Sequence, residues 1–133
     1  MRVDLATRTC TDLTPKWDRP FQPSGTVNYD LAPDGSQVAV TVNTTPPPYS
    51  GNPNNDVYLL PTDGSGTMRN LTTDNVADDS GPTFAPDGRS IVFTRHTIPY
   101  GSGEVGKLWR HDLTAGTNKP LTEKIDLAIS GVE

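Results

Sequence analysis

The sequence predicts an all-β fold made of two similar four-stranded antiparallel units, and three observations predict it. Residues 31–41 return as residues 84–94, with an offset of 53 residues between Asp34 and Asp87. The runs that follow alternate apolar and polar side chains with the two-residue period of a half-buried strand. The 133 residues include 13 Pro and 12 Gly, which suits many short strands joined by turns. Self-similarity at this spacing is typical of repeat architectures.

The link between the first two strands of each unit is Ala32-Pro33-Asp34-Gly35 in one copy and Ala85-Pro86-Asp87-Gly88 in the other. Proline fixes φ near about −65°, which fits the second position of a type I turn, and aspartate tolerates the third. Glycine then accepts the positive φ that closes such a hairpin with a bulge. We therefore expect the first two strands of each unit to be paired as a hairpin.

Two further strands follow in each unit. The third carries an aromatic residue, Tyr58 or Trp109, and the fourth ends in Leu71-Thr72 or Leu121-Thr122. The predicted strands are 26–31, 37–42, 56–60 and 69–71 in the first unit, and 82–85, 90–94, 107–111 and 119–121 in the second.

Partial units flank these two. Residues 4–14 parallel residues 112–122, so we interpret residues 1–23 as the last strands of a preceding unit and a connection. Residues 24–76 and 77–125 are the complete units, and residues 126–133 resemble the first strand of a following one. Four strands per unit at this period indicate blades of a β-propeller, which closes with about 4–8 blades. We expect either a segment of a longer protein or a ring completed by other copies, and a native mass measurement separates the two.

Composition excludes several function classes. The formal net charge is −5 and no cluster of Lys and Arg occurs, which argues against a nucleic-acid partner. No stretch approaches the roughly 18 apolar residues of a membrane helix, and no basic-then-apolar leader follows Met1. Cys10 is the single cysteine, and we expect it to be a small half-buried residue, not a nucleophile. These features assign no cellular compartment, so both a cytoplasmic and a periplasmic or secreted location remain alternatives.

The order of these motifs resembles a known repeat. Leu-Thr, an acidic spacer, Pro-x-Phe-Ala-Pro-Asp-Gly and an aromatic strand resemble the WD40-like Pro-Asp-Gly repeat of the TolB propeller and of the N-terminal propeller of the prolyl oligopeptidase family. Residues 54–64, 69–75 and 78–82 look like the bacterial dipeptidyl-peptidase and acylaminoacyl-peptidase branch. The resemblance implies a propeller that covers an active site and admits only short or unstructured peptides. It also implies that the catalytic serine lies in a separate α/β-hydrolase domain.

No catalytic, cofactor-binding or metal-binding residue is assigned, and no cofactor is expected. The sequence has no Gly-x-Ser-x-Gly elbow, and neither His96 nor His111 has a credible serine partner. Some family members hold the substrate's amine with propeller glutamates, but Glu104, Glu123 and Glu133 match no such motif. We expect no hydrolysis by the 133-residue chain alone.

Two loop motifs have alternative interpretations. Residues 101–106 spell Gly-x-Gly-x-x-Gly, but a strand follows where a dinucleotide site needs a helix, so a strand connection is favoured over a phosphate loop. Pro46-Pro47-Pro48-Tyr49 has the form that WW domains bind. It lies in the Pro- and Gly-rich loop 43–55, where a stiff spacer is the favoured interpretation, and its role stays open.

Two sets of polar residues match a functional motif in part, and neither is assigned that function. Asp74, Asp78 and Asp79 lack the spacing of an EF-hand loop, so a solvated acidic turn is favoured over a calcium site. Asn43 and Asn70 begin glycosylation sequons, and we attribute both to chance.

Aromatic residues are assigned to packing. Tyr58, Phe93 and Trp109 lie on predicted strands and are expected to pack between blades, not to stack on a ligand. Trp17 and Phe21 lie in the connection between units, where contact with another domain is an alternative.

Two functions follow. The first is a non-catalytic propeller segment of a prolyl oligopeptidase-family serine peptidase, with the hydrolase domain or further blades of the same protein as its partners and a peptide as the parent's substrate. The alternative is a TolB-like scaffold that mediates protein–protein interaction.

Overall fold

A computed structural model describes residues 1–17, 21, 28–48, 50–51, 54–65, 67–99 and 103–125. Those residues form β-strands and no helix, so none of them belongs to a helix that could span a membrane. The strands are β1 (Arg2–Asp4), β2 (Thr9–Thr11), β3 (Tyr29–Leu31), β4 (Gln37–Asn43), β5 (Asn55–Pro61), β6 (Arg69–Asn70), β7 (Asp79–Phe84), β8 (Ser90–Arg95), β9 (Lys107–Asp112) and β10 (Thr117–Pro120).

The strands form three antiparallel sheets in chain order. The first sheet is β3-β4-β5-β6, the second sheet is β7-β8-β9-β10, and β1 pairs with β2 as an N-terminal hairpin. Every neighbouring pair is antiparallel. The predicted all-β fold with two four-stranded sheets is confirmed.

The two Ala-Pro-Asp-Gly links are the turns that their chemistry predicts. The Gly35 N–H donates to the Ala32 carbonyl at 2.8 Å, and the Gly88 N–H donates to the Ala85 carbonyl at 2.8 Å. Their φ angles are 73° and 67°, which glycine adopts without a steric penalty. The turns therefore fix the register of β3 with β4 and of β7 with β8.

The recurring Leu-Thr pair completes the outer edge of each sheet. The Leu71 N–H donates to the Val57 carbonyl at 2.8 Å, and the Thr72 hydroxyl accepts from the Val57 N–H at 3.1 Å. The Leu121-Thr122 pair makes the same two bonds to Leu108, at 2.8 and 2.9 Å. The threonine hydroxyl thus extends the backbone ladder by one bond beyond the short last strand.

The N-terminal hairpin repeats the geometry of β9 and β10. The Asp4 carboxylate accepts from the backbone N–H groups two and three residues later, both at 2.9 Å. Asp112 does the same at 3.0 and 2.9 Å. The fourth residue after each aspartate has a positive φ, 58° at Arg8 and 65° at Gly116. The hairpin is therefore equivalent to the outer half of the second sheet.

The core lies between the two sheets. Asp30 of β3 accepts a hydrogen bond from the Phe84 N–H of β7 at 2.7 Å, so the first strands of the sheets are neighbours. The packed side chains are Ala39, Val57, Leu59 and Leu71 of the first sheet and Phe84, Ile91 and Phe93 of the second, with Ala32 beside them.

Some boundaries differ from the prediction. β7 begins at Asp79, three residues before the predicted start, because the register shifts between Ser80 and Thr83 and carries pairing past Pro82, which lacks an N–H. The predicted strand in 126–133 lies outside the described residues, as do residues 26–27. Cys10 is exposed, not half-buried, since β2 is the edge of a two-stranded sheet that leaves it uncovered.

Candidate functional site

A group of paired charges lies at one end of the second sheet, where β8 ends and β7 begins, and two of its members, Asp79 and Arg95, are buried. Arg95 Nε donates to Asp79 Oδ1 at 2.8 Å. Its two terminal nitrogens donate to the Asp74 carboxylate at 2.8 and 3.1 Å, in a bidentate pair. The Arg95 side chain is 4% exposed and Asp79 is fully buried, whereas Asp74 is half-exposed. One guanidinium therefore joins β7, β8 and the linker between the sheets.

The guanidinium also lies against aromatic rings. Its central carbon is 4.5 Å from the Trp109 ring centroid and 5.4 Å from that of Phe93. Phe93 and Trp109 are cross-strand partners on β8 and β9, and Arg95 is two residues further along the same face. Because water is excluded there, cation–π attraction adds to the ion pairs.

Two asparagines complete the arrangement, which we call the charged cluster (Asp74, Asn75, Asp79, Arg95 and Asn118). Asn75 Nδ2 donates to Asp79 Oδ2 at 3.1 Å and to the His96 carbonyl at 2.8 Å. Asn118 Nδ2 donates to Asp74 Oδ1 and to the Leu71 carbonyl, both at 2.9 Å. The cluster therefore ties the linker to both sheets.

Burial and pairing shift the pKa values in the cluster. Burial raises the pKa of Asp79 to about 6, although Arg95 and Asn75 donate to it. Hydrogen bonds from Arg95 lower the pKa of Asp74, which keeps more contact with solvent. Burial by itself would lower the pKa of Arg95, but the bonds to both aspartates outweigh it and raise that pKa. Arg95 is therefore charged throughout the usual range of pH.

The arrangement is suited to holding the sheets together. Asp74 and Asp79 are engaged by Arg95, and Asp78 accepts from the Asn55 backbone and side chain at 3.1 and 2.6 Å. The expected solvated acidic turn is wrong, because Asp79 is fully buried. Among the described residues no group of three His, Cys, Asp or Glu is placed to hold a metal.

The aromatic side chains pack as expected. Phe93 is 1% exposed and lies in the core between the sheets, with Trp109 against it. Trp17 contacts the Tyr58 ring edge-on, with the centroids 5.4 Å apart, and lies 6.3 Å from the Phe21 ring. These rings line the joins between neighbouring sheets.

The asparagines of both sequons are engaged in local hydrogen bonds. Asn43 is buried, and its Oδ1 accepts from the Thr45 N–H at 2.9 Å. Asn70 Oδ1 accepts from the Thr72 N–H at 2.8 Å, and its Nδ2 donates to Asp56 at 2.7 Å. Both side chains therefore stabilise the ends of strands.

The two loop motifs are only partly within the described residues. Gly106 lies so close to β8 that an added Cβ would be 2.6 Å from Thr94 Cγ2. Glu104 accepts from the backbone N–H groups of Thr97 and Ile98 at 2.9 Å. Both contacts fit a strand connection. Pro46, Pro47 and Pro48 are exposed but Tyr49 lies outside the described residues, so WW binding stays an alternative prediction.

Sequence reasoning misses Arg95. The sequence offers no serine partner for His111, and the structure places the His111 Nδ1 2.8 Å from Asn118 Oδ1. The available signal for Arg95 is its phase: it follows Ile91 and Phe93 at two-residue spacing, on the face that is buried. A charged residue in the buried phase of a strand requires a buried partner.

The chain was compared with known proteins by sequence. No protein-family profile matches the chain. The chain is 26% identical over 119 residues to the probable dipeptidyl-peptidase 5 of Emericella nidulans and 29% identical over 124 residues to that of Aspergillus niger, covering 84% and 86% of this chain. The dipeptidyl-peptidase 5 of Porphyromonas gingivalis is 25% identical over 119 residues, which is 88% of this chain. The chain spans 16–17% of the length of these relatives.

The fold has a solved counterpart. The crystal structure of TolB from Acinetobacter baumannii superposes with a TM-score of 0.57 at 22% identity, covering 90% of this chain and 25% of that one. This likeness identifies the packed four-stranded sheets as propeller blades. The chain is a β-propeller segment whose sequence is similar to the dipeptidyl-peptidase 5 proteins.

Proposed function

We propose that the chain is a non-catalytic part of a serine peptidase of the prolyl oligopeptidase family, and that it limits access to a nucleophilic serine outside these 133 residues. The observation that carries the proposal is the sequence match to three dipeptidyl-peptidase 5 proteins over most of this chain. Because the chain spans a small share of those relatives, the chemistry is assigned to the rest of the natural polypeptide.

The join between the sheets supports an access-limiting role. The bond from the Phe84 N–H to Asp30 holds the first strands of the two sheets side by side, and in a propeller the first strands surround the central channel. Within the charged cluster, Asn118 of β10 donates to the Leu71 carbonyl next to β6 at 2.9 Å, which fixes the two sheets to each other at one end. Such a wall admits a peptide by size, because neither sheet can move aside without breaking these contacts.

The first experiment isolates the natural polypeptide that contains this sequence and treats it with a fluorophosphonate, which labels activated serines. We expect a labelled polypeptide several times longer than this chain that cleaves dipeptidyl chromogenic substrates. The 133-residue chain alone should show neither labelling nor turnover. Turnover by the isolated chain, or an unlabelled natural polypeptide, would contradict the proposal. An unlabelled polypeptide in a stable complex with another protein would favour the scaffold instead.

The second experiment tests access in the same polypeptide. Asp30→Ala removes the bond between the first strands, and we expect long unstructured peptides to be cleaved faster relative to a dipeptidyl substrate. The matched control is Asp87→Ala, whose carboxylate accepts locally from the N–H of Arg89 two residues later, and this change should leave the ratio unaltered. Equal ratios in all three proteins, each with a native thermal transition, would contradict the access-limiting role.

A further inference from the structure

Asp79 places a fully buried carboxyl group in the join between the two sheets. It is the cross-strand partner of Arg95 at the start of β7. Arg95 in turn follows Ile91 and Phe93 on the face of β8 that packs against the first sheet. Because β4 and β5 of the first sheet contact β7, separation of the sheets exposes this carboxyl group to water. The charge of Asp79 is therefore coupled to the opening of the join.

The cation beside Asp79 is shared with a second carboxylate. Arg95 donates to Asp74 at 2.8 and 3.1 Å and to Asp79 at 2.8 Å. The bidentate pair with Asp74 already balances the charge of the guanidinium. An ionised Asp79 therefore leaves the three groups with a net negative charge in a buried place, which is costly. A protonated Asp79 leaves them neutral.

Two further acidic residues lie next to Asp79 and add to this imbalance. Asp78 precedes it in the chain and accepts from the Asn55 backbone and side chain of the first sheet, at 3.1 and 2.6 Å. The negative charge of Asp56, the residue after Asn55 on β5, raises the pKa of Asp79. The surroundings of Asp79 thus favour its neutral form as long as the sheets are in contact.

Other ionisable side chains at this end are directed to different partners. Their contacts are Lys107 to the Ile125 carbonyl, His96 towards Gly106, Glu104 to the Thr97 and Ile98 N–H groups, and His111 to Asn118. Only the last of these leads back to the cluster, because Asn118 also donates to Asp74. His111 is therefore the rival titrating group that an experiment has to separate from Asp79.

The ion pairs can survive separation of the sheets. Asp74, Asp79 and Arg95 all belong to the second sheet or to the linker before it, whereas the first sheet supplies the cover. When the sheets separate, Asp79 gains water without losing Arg95. The open join therefore favours the ionised form of Asp79, and the closed join favours the protonated form.

We propose that the join between the two sheets is a proton-controlled contact, which stays closed while Asp79 is protonated and opens more often once Asp79 is ionised. The inference rests on the proposed function only for its consequence, which is that a peptidase with this join would admit long peptides more readily at neutral than at acidic pH.

The direction of the effect follows from the affinity of Asp79 for its proton. Burial raises the pKa of Asp79 from 3.8 to about 6, so the closed join binds the proton more tightly than the open one. The extra stability of the closed join is complete below the lower value and is lost as pH rises through the higher one.

The test measures opening with a buried cysteine. Thr41 is fully buried and pairs with Val57 on the face of the first sheet that packs against the second. Its hydroxyl makes no hydrogen bond among the described residues, so Thr41→Cys is a conservative reporter. Dithiodipyridine labels the introduced cysteine when the join opens. The exposed natural Cys10 of the same chain gives the rate for an accessible thiol at each pH.

We expect the labelling rate of the introduced cysteine, relative to Cys10, to rise roughly tenfold between about pH 4.5 and about pH 7.5. Asp79→Asn should remove most of this rise, because an amide does not titrate. Asp87→Asn, on the exposed β7–β8 turn, and His111→Gln should both preserve it. The proposal is wrong if the relative rate does not change with pH in the reporter chain, a result that needs no folded Asp79→Asn. It is equally wrong if the rise survives Asp79→Asn or disappears with His111→Gln.

Val42→Cys distinguishes opening of the join from unfolding of the whole chain. Val42 follows Thr41 on β4 and is equally buried, but it lies on the opposite face of the first sheet. Separation of the two sheets leaves that face covered, so labelling at this position should rise much less with pH. Equal pH dependence at the two positions would mean that the whole chain unfolds, and would overturn the proposal.

These measurements use the 133-residue chain, which is assigned no catalytic serine. A failure here leaves the serine-labelling result of the natural polypeptide intact. An unlabelled natural polypeptide, in turn, contradicts the proposed function and leaves the proton-controlled join intact.

Discussion

Val42 and Arg95 occupy equivalent positions at the ends of β4 and β8, and both are buried, at 0% and 3% exposure. The residue two positions before each of them pairs with an aromatic residue on the next strand: Val40 pairs with Tyr58, and Phe93 pairs with Trp109. Trp17 contacts Tyr58, whereas the Arg95 guanidinium contacts Trp109. At this position of the repeat, the first sheet therefore makes an apolar contact with Trp17, whereas the second sheet holds the ion pairs of Arg95.

Arg95→Met should destabilise the chain by about 3 kcal/mol or more, because it leaves the Asp79 carboxyl buried without its partner. Urea unfolding at pH 7 measures this. Arg89→Met is the control: Arg89 is exposed on the β7–β8 turn, and its loss should cost under about 0.5 kcal/mol. Equal losses of stability from the two changes would show that the ion pairs of Arg95 contribute nothing to the free energy of unfolding.

Asp79 should make stability fall as pH rises from about 4 to about 6. Burial raises the pKa of Asp79 from 3.8 to about 6, so the folded chain binds this proton more tightly than the unfolded chain. The stabilising effect is complete below the unfolded pKa and is lost as pH passes through the folded pKa.

The comparison that isolates this effect is Asp79→Asn against the unaltered chain. The stability of the unaltered chain, relative to the variant, should decrease from pH 4 to pH 6 and stay level above pH 7. Asp74→Asn should have the opposite sign at lower pH: pairing with Arg95 lowers the pKa of Asp74 below 3.8, so the stabilising effect of this carboxylate is present above about pH 4 and is lost as pH falls below that value. A difference between Asp79→Asn and the unaltered chain that does not change with pH would contradict the assignment.

Thr72→Val and Thr122→Val should each cost about 1–3 kcal/mol, since each leaves a strand N–H without its acceptor. Thr72→Ser and Thr122→Ser keep the hydroxyl and should lose much less. Thermal unfolding ranks the four variants. Equal losses for valine and serine would show that the methyl group, not the hydroxyl, explains the recurring Leu-Thr pair.

Gly106→Ala should destabilise by about 1–3 kcal/mol, because the new Cβ would overlap Thr94 and the His96 ring. Gly51→Ala is the control, since nothing lies within 4 Å of its added Cβ. A neutral Gly106→Ala would remove the packing explanation for this glycine.

The fold was predictable because its signals are local. The Ala-Pro-Asp-Gly turns and the alternation around Ile91 and Phe93 each act over a few residues, and their repetition doubles the signal. The charged cluster was not predictable in the same way, because Arg95 meets Asp74 and Asp79 only once the strands and the linker are in place. The β7 bulge was not predictable either, because Pro82 lacks an N–H and its presence suggests that no strand pairing extends before it, whereas Asp79 and Ser80 pair with β8.

The central claim is that the two four-stranded sheets pack face to face as neighbouring propeller blades. The most direct measurement is a set of nuclear Overhauser contacts between methyl-labelled Val57 and Leu59 and the side chains of Ile91 and Phe93. We expect contacts between these pairs, together with a protected Phe84 amide that is hydrogen-bonded to Asp30. Contacts confined to strands of the same sheet, with a rapidly exchanging Phe84 amide, would contradict it.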